Sequence, residues 1–144
     1  MCSSDLEILI DLTQTGISDN EIPIYTANPG GAPANVAVAA SKLGAKTAFI
    51  GKVGNDSFGR FLCDTLKKYN VSTDGVITDK SANTTLAVVS VNENGERSFA
   101  FYRKNSADTL LSEYEIIDLH LKSDTAYPQS LLPFGVFSNG IKCK

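Results

Sequence analysis

Hydrophobic and polar positions follow one another along this chain in blocks that predict strands and helices in turn. Apolar runs at 7–12 and 46–53 predict two buried strands. Between them, residues 33–43 are apolar on almost every side, as in a buried helix, and Gly44 can end that helix. After Asp56, a suitable N-cap, apolar residues recur at helical spacing. This alternation favours a parallel α/β sheet.

A second pattern, of two strands in close succession, begins further along the chain. The runs 84–91 and 96–103 are strand-like, and residues 92–95 between them end in the Asn-Gly signal of a hairpin turn. Residues 13–29 alternate only weakly and predict one short strand around Ile24. We expect this segment and the hairpin to lie side by side, because each alone leaves strand edges unpaired.

Composition excludes several classes of function. The chain has 144 residues, enough for one compact domain, with 20% charged residues and a net charge of −3. Its basic residues are scattered, which disfavours nucleic-acid binding, and no apolar run approaches the ~18 residues of a membrane helix. Three widely spaced cysteines indicate free thiols in a reducing cytoplasm. No cluster of residues has the spacing of metal ligands.

The most distinctive stretch pairs two glycines with the start of the first helix. Gly30 and Gly31 let backbone approach a ligand closely, and Pro33 suits the first helical position. Asn35 follows in the first turn of the helix, near the N-terminus from which free backbone N–H groups point. The stretch is neither a dinucleotide-binding GxGxxG motif nor a phosphate-binding P-loop.

This stretch, continued to Gly51-Lys52-Val53-Gly54-Asn55-Asp56, resembles the first signature of the ribokinase-like (PfkB) carbohydrate kinases. Within that family, its residues resemble those of fructokinases most. Residues 7–12 and 101–111 also agree with that family, so the resemblance covers roughly residues 7–123. It implies the N-terminal, sugar-binding part of a ribokinase-like α/β/α sandwich. It also implies a small β lid, formed by strands near 13–29 and 84–103.

The resemblance implies six substrate-binding residues: Asp11, Gly30, Gly31, Asn35, Phe101 and Arg103. Asp11 ends the first strand, where ligands of α/β sheets bind, and a carboxylate accepts hydrogen bonds from sugar hydroxyls. Arg103 would reach the sugar from the lid, and Phe101 would pack against it. Ordinary interpretations stay open: a solvated Asp11, a core amide at Asn35, a core Phe101, and a surface Arg103 paired with Glu96 or Asp108. Gly51, Gly54 and Asp56 are interpreted as structural.

The function implied by the resemblance is ATP-dependent phosphorylation of a sugar primary hydroxyl, with Mg²⁺, by a full-length parent. The family's catalytic Asp and anion hole lie in a motif, Asp-Thr-x-Gly-Ala-Gly-Asp, that is absent from these 144 residues. We therefore expect no catalytic residue and no bound ATP or Mg²⁺ in this fragment. A truncated non-catalytic fragment or a sugar-binding module is the alternative.

Substrate and assembly are narrowed only partly by the resemblance. Residues 32–34, Ala-Pro-Ala, favour fructokinase over ribokinase, and 2-keto-3-deoxygluconate kinase is the nearer rival. The family also makes a homodimer through the lid possible for the parent.

At the two ends of the chain the pattern of apolar and polar residues changes. Residues 1–6 are polar where the first strand should begin and predict a non-native leader. Residues 124–144 lack periodicity and predict either a frameshifted tail or a divergent loop.

Overall fold

The computed structural model describes residues 6–91, 96–122 and 136–138 of the chain. Strands and helices alternate, so the predicted α/β character is confirmed. A short 3₁₀ turn, Ala107–Leu110, precedes the last helix. The other elements are β1 (Leu9–Ile17), β2 (Pro23–Gly30), α1 (Ala32–Lys42), β3 (Thr47–Gly54), α2 (Ser57–Lys68), β4 (Val71–Asp79), β5 (Leu86–Val91), β6 (Arg97–Tyr102), α3 (Glu113–Lys122) and β7 (Val136–Ser138).

The described strands form two sheets. The first has the order β2-β1-β5-β6, in which β1 and β5 are parallel and the outer pairs are antiparallel. The second has the order β4-β3-β7, in which β3 and β4 are parallel. The hairpin predicted from 84–103 is present as the antiparallel pair β5–β6, and its turn at 92–95 lies outside the described residues. The hairpin and the strand β2 of the 13–29 segment belong to one sheet, but they do not lie side by side as expected, because β1 separates β2 from β5.

The hydrophobic core lies between β1, β3 and the two long helices. Its buried side chains come from these elements, from the residue before β1 and from the start of β4: Ile8, Ile10, Ala34, Ala37, Phe49, Val53, Leu62, Leu66 and Val71. Asp56 caps α2 as predicted, since its carboxylate accepts the Gly59 N–H at 2.7 Å. It also accepts both the N–H and the hydroxyl of Thr84, at 2.8 and 2.9 Å, and so joins α2 to the start of β5.

The structure differs from the sequence-based expectation in several places. Strand β1 continues to Ile17, so Asp11 lies within that strand and not at its end. The strand expected around Ile24 is part of a longer ribbon, in which β1 and β2 pair from Leu9↔Gly30 to Ile17↔Pro23. Strand β4 and helix α3 were not predicted. The expectation that the first helix is buried on every side was wrong, because only Ala34, Ala37 and Ala40 are buried while Val36 is 57% exposed. The predicted leader and tail fall almost entirely outside the described residues.

Candidate functional site

The register of the first sheet places four side chains in one row. Asp11 on β1 is the partner of Asn28 on β2 and of Ala87 on β5, and Ala87 is in turn the partner of Phe101 on β6. Paired residues of neighbouring strands point to the same face of a sheet. The row Asn28, Asp11, Ala87, Phe101 therefore crosses one face of the sheet from edge to edge, with the polar residues at one end and the aromatic residue at the other.

Gly30 packs directly against the Asp11 carboxylate. A Cβ added at Gly30 would overlap Oδ2 of Asp11 and would also lie 2.9 Å from the Leu9 side chain. The neighbouring Gly31 has a φ of +101°, and a Cβ there would lie 2.5 Å from the Glu7 carbonyl oxygen. Both glycines are therefore required by close approach of other groups, as well as by the start of α1.

The Asp11 carboxylate is left available by its surroundings. It has no hydrogen-bond or ion-pair partner among the described residues, and it is half-buried. Burial raises the pKa of Asp11, because partial removal from water disfavours the ionised form. Hydrogen bonds from a ligand's hydroxyl groups would stabilise that ionised form. The site thus provides an acceptor whose donors are not supplied by the described part of the protein.

The aromatic end of the row is a pair of stacked rings on β6. Phe99 and Phe101 have centroids 6.3 Å apart and an interplanar angle of 15°. Both side chains are more than half exposed, so the core interpretation of Phe101 is not what the structure shows. Ala87 is fully buried between Asp11 and Phe101 in the row. Its small side chain separates the polar end of the row from the aromatic end.

Arg103 lies just beyond the row and is held by two carboxylates. Its Nη1 lies 2.9 Å from Glu7 Oε2, and its Nε donates to Asp108 Oδ2 at 2.9 Å. Asp108 is buried and also accepts a hydrogen bond from the Ser106 hydroxyl at 2.7 Å and a shorter contact from Thr85. The pairing with Asp108 is one of the two ordinary interpretations of Arg103. This network fixes the chain after β6 to the start of β1.

Asn35 lies on a different side of Gly30. It is exposed on α1, where its N–H donates to the Gly31 carbonyl at 3.0 Å. It lines a cleft of about 270 Å³ between α1 and α2, together with Lys42, Leu62 and Tyr69. Gly30 lines the same cleft and also contacts Asp11, so it is the link between the two. The structure thus brings Asp11, Gly30 and Phe101 to one face and shows no direct contact between Asn35 and that face among the described residues.

Sequence reasoning missed a buried ion cluster around Lys52. Its Nζ lies 3.0 Å from Asp79 Oδ2 and 2.8 Å from Glu115 Oε1, and it also donates to the Leu110 carbonyl at 3.4 Å. Burial alone would lower the pKa of Lys52, but the hydrogen bonds to Glu115 and Asp79 outweigh it and raise the pKa. The signal in the sequence was a lysine inside the apolar run of β3, since a buried charge needs partners.

Asn28 was also missed. It directly precedes the Pro-Gly-Gly stretch, and only the strand register reveals that it faces Asp11.

Within residues 6–91 and 96–122, no group of three or more His, Cys, Asp or Glu side chains could hold a metal ion. In the same part of the chain, no helix is both long enough and apolar enough to cross a membrane.

Comparison with known proteins gives consistent results. A family model described as pfkB family carbohydrate kinase matches residues 4–130. Probable fructokinase-7 of Arabidopsis thaliana is 52% identical over 112 residues, which cover 76% of this chain and 33% of that protein. A crystal structure of fructokinase from Xylella fastidiosa superposes with a TM-score of 0.71 at 41% identity, covering 76% of this chain and 34% of its own. A structure of that fructokinase with bound ATP matches equally well. The chain spans about a third of the length of these relatives.

Proposed function

Because the chain belongs to the pfkB family of carbohydrate kinases, we propose that it is the sugar-recognition part of an ATP-dependent, fructokinase-like enzyme. The observation that carries the proposal is the Asp11 carboxylate, which is partly buried, packed against Gly30 and without a partner in the described part of the chain. Such an acceptor fits the hydroxyl groups of a neutral sugar, and an adjacent aromatic ring fits the sugar's C–H face.

Each of the six residues has a role in the proposed site. Asp11 accepts hydrogen bonds from sugar hydroxyls, and the missing Cβ of Gly30 lets the Asp11 carboxylate take its position. Gly31 would present its backbone to the sugar. Phe101 packs against the ring. Asn35 would contribute its amide from the neighbouring cleft. Arg103 would donate a hydrogen bond to the sugar while Asp108 holds its guanidinium in place. These residues bind and orient the sugar, and we assign none of them to the chemical step.

The parent enzyme would transfer the terminal phosphoryl group of ATP, with Mg²⁺, to a primary hydroxyl of the bound sugar. The described residues of this chain do not fit those two groups, since they form neither a three-ligand metal cluster nor a phosphate-binding loop. Orientation of the accepting hydroxyl by Asp11 is the contribution that the described residues can make to such a transfer.

We further propose that the parent acts in the cytoplasm as a homodimer joined through the first sheet. Strands β2 and β6 end that sheet, and β2 with its turn exposes apolar side chains at Ile22, Ile24 and Tyr25. Exposed apolar edge strands favour pairing with another chain. In the parent, an Ile22→Lys variant should lower the molar mass measured by sedimentation equilibrium from that of a dimer to that of a monomer. The matched variant Leu43→Lys, at an exposed leucine just after α1, should leave the mass unchanged.

Titration of the 144-residue chain with sugars tests the central proposal. We expect D-fructose to perturb the ¹H–¹⁵N resonances of Asp11, Gly30 and Gly31, and we expect Asp11→Ala to abolish this response. Asp19→Ala, at an exposed turn residue, is the matched control and should bind as the unaltered chain does. Equal titration curves for the Asp11 and Asp19 variants would contradict the proposal.

A further inference from the structure

We propose that Asn28 is a second sugar-contacting residue, which together with Asp11 determines the hydroxyl pattern that the site accepts. The inference rests on the proposed sugar-binding function and goes beyond it, since it adds a residue and a basis for specificity. It begins from the register of β1 and β2, in which Asn28 lies directly opposite Asp11. Side chains opposite each other in antiparallel strands have Cβ atoms about 4.5–5.5 Å apart and share a face of the sheet.

The two side chains complement each other chemically. An ionised carboxylate only accepts hydrogen bonds, whereas an amide both donates and accepts them. A pair of neighbouring sugar hydroxyls can therefore donate to Asp11 and at the same time accept from Asn28. A site with the carboxylate alone would bind any two suitably spaced donors, so the amide supplies the discrimination.

Asn28 is free to make this contact. It is exposed, and its Nδ2 donates to the Thr26 carbonyl oxygen of its own strand at 3.3 Å, which is a long hydrogen bond. Its second amide N–H and its Oδ1 have no partner among the described residues. The bond to Thr26 orients the side chain without using its full capacity for hydrogen bonding.

The rest of the row sets the direction in which a ligand would lie. Asn28 and Asp11 occupy two adjacent strands, Ala87 the third, and Phe101 the fourth. A sugar bound at the polar end would contact Asn28 and Asp11, with the exposed ring of Phe101 two strands away, beyond the buried Ala87. Residues in this arrangement contact one ligand on opposite sides, so a loss at Asn28 should affect particular hydroxyls rather than binding in general.

The experiment compares D-fructose and its monodeoxy analogues as ligands of the full 144-residue chain, with NMR titration as the readout. Asn28→Ala should raise the Kd for D-fructose about three- to tenfold, the range expected for one lost hydrogen bond. Asn20→Ala, at an exposed turn residue between β1 and β2, should leave the Kd unchanged. One analogue should bind the unaltered chain more weakly by a similar factor and should lose nothing further in Asn28→Ala.

Each outcome decides one of the two proposals. If the unaltered chain fails to bind D-fructose, or Asp11→Ala binds it normally, the proposed function itself is wrong. If Asp11→Ala abolishes binding while Asn28→Ala binds every sugar as the unaltered chain does, only the role of Asn28 is wrong. An equal loss for every analogue, with a lower urea midpoint of unfolding, would also overturn it, because Asn28 would then act by supporting the strand.

Discussion

Lys52 and Asp79 form an ion pair in the interior, with Nζ and Oδ2 3.0 Å apart and the lysine side chain only 8% exposed. The pair joins β3 to the end of β4, and Glu115 adds α3 to the same ammonium group. Removing one member of such a cluster leaves the remaining charges without a partner, which is why it destabilises more than exchanging the whole cluster for apolar residues.

We predict that Lys52→Met destabilises the chain by about 2 kcal/mol, below the ~3–5 kcal/mol of a fully buried pair because Glu115 stays partly in contact with water. Methionine keeps the length of the side chain, so the effect isolates the charge. Urea unfolding is the measurement, and Lys46→Met, at an exposed lysine before β3, is the control. Equal urea midpoints for the two variants would show that the cluster adds nothing to stability.

The same cluster predicts a loss of stability in acid. The hydrogen bond from Lys52 lowers the pKa of Glu115, and hydrogen bonds from Ser81, Lys52 and Ala82 hold the pKa of Asp79 well below its usual range. A carboxyl group with a lowered pKa in the folded state stabilises that state above its ordinary pKa, and the contribution is lost as the pH falls through the lowered value. The free energy of unfolding should therefore decrease between pH 6 and pH 3. It should decrease less in Lys52→Met.

Asp11 should behave in the opposite way. Burial raises its pKa, so the folded state binds a proton more readily than the unfolded state, and ionisation at neutral pH opposes folding. Asp11→Asn should accordingly raise the urea midpoint at pH 7 and lose that advantage as the pH falls below 4. The same variant should bind D-fructose more weakly, since an amide is a poorer acceptor than a carboxylate. Asp19→Asn should alter neither property, and a lower midpoint for Asp11→Asn at pH 7 would contradict this reasoning.

Gly30→Ala tests the packing beside the carboxylate. The new methyl group would overlap Asp11 Oδ2, so we expect a destabilisation of about 1–3 kcal/mol and weaker sugar binding. Gly16→Ala is a matched control within the same ribbon, because a Cβ there meets nothing within 4 Å. That control should be neutral or slightly stabilising, by up to about 1 kcal/mol. Unfolding midpoints and D-fructose titrations of both variants provide the comparison.

Sugar binding by this chain should not be accompanied by phosphoryl transfer. The motif that, by the resemblance, would supply the catalytic base and the anion hole does not occur in these 144 residues. Loss of a base alone typically reduces a rate ~10²–10⁴-fold. A coupled assay with D-fructose and ATP should therefore remain at background, while D-fructose still perturbs the resonance of Asp11. Measurable turnover that depends on Asp11 would place catalytic groups within this chain.

The sequence predicted those parts of the fold that local chemistry determines. The cap at Asp56 and the end of α1 before Gly44 depend on neighbouring residues, and the structure confirms both. The pairing of β1 with β2 could not be predicted from its weak alternation, because both faces of the ribbon beyond Thr13 are largely exposed. Similarly, Lys52 was recognisable as an unusual residue, but its partners Asp79 and Glu115 are distant in sequence and meet it only through the tertiary fold.

The candidate site likewise has residues that the sequence reveals and residues that only the tertiary fold reveals. The glycines and Asp11 stand out in the sequence, whereas the facing position of Asn28 depends on a register that one residue of slippage would reverse. The network of Arg103 with Glu7 and Asp108 joins the chain after β6 to the segment before β1, and only Asp108 is close to Arg103 in sequence. Contact of Asn35 and Arg103 with the sugar stays a prediction.

The parallel pairing of β1 with β5 has a consequence for how the chain folds. Residues 10–13 pair with residues 86–89, and α1, β3, α2 and β4 all lie between them in sequence. Contacts of such long separation form late, because the intervening chain must be ordered first. The polar end of the row can assemble early from the β1–β2 ribbon, but the aromatic end arrives only when the hairpin docks. A sugar that binds both ends would therefore slow the undocking of β5, and its presence during refolding should increase the yield of native chain.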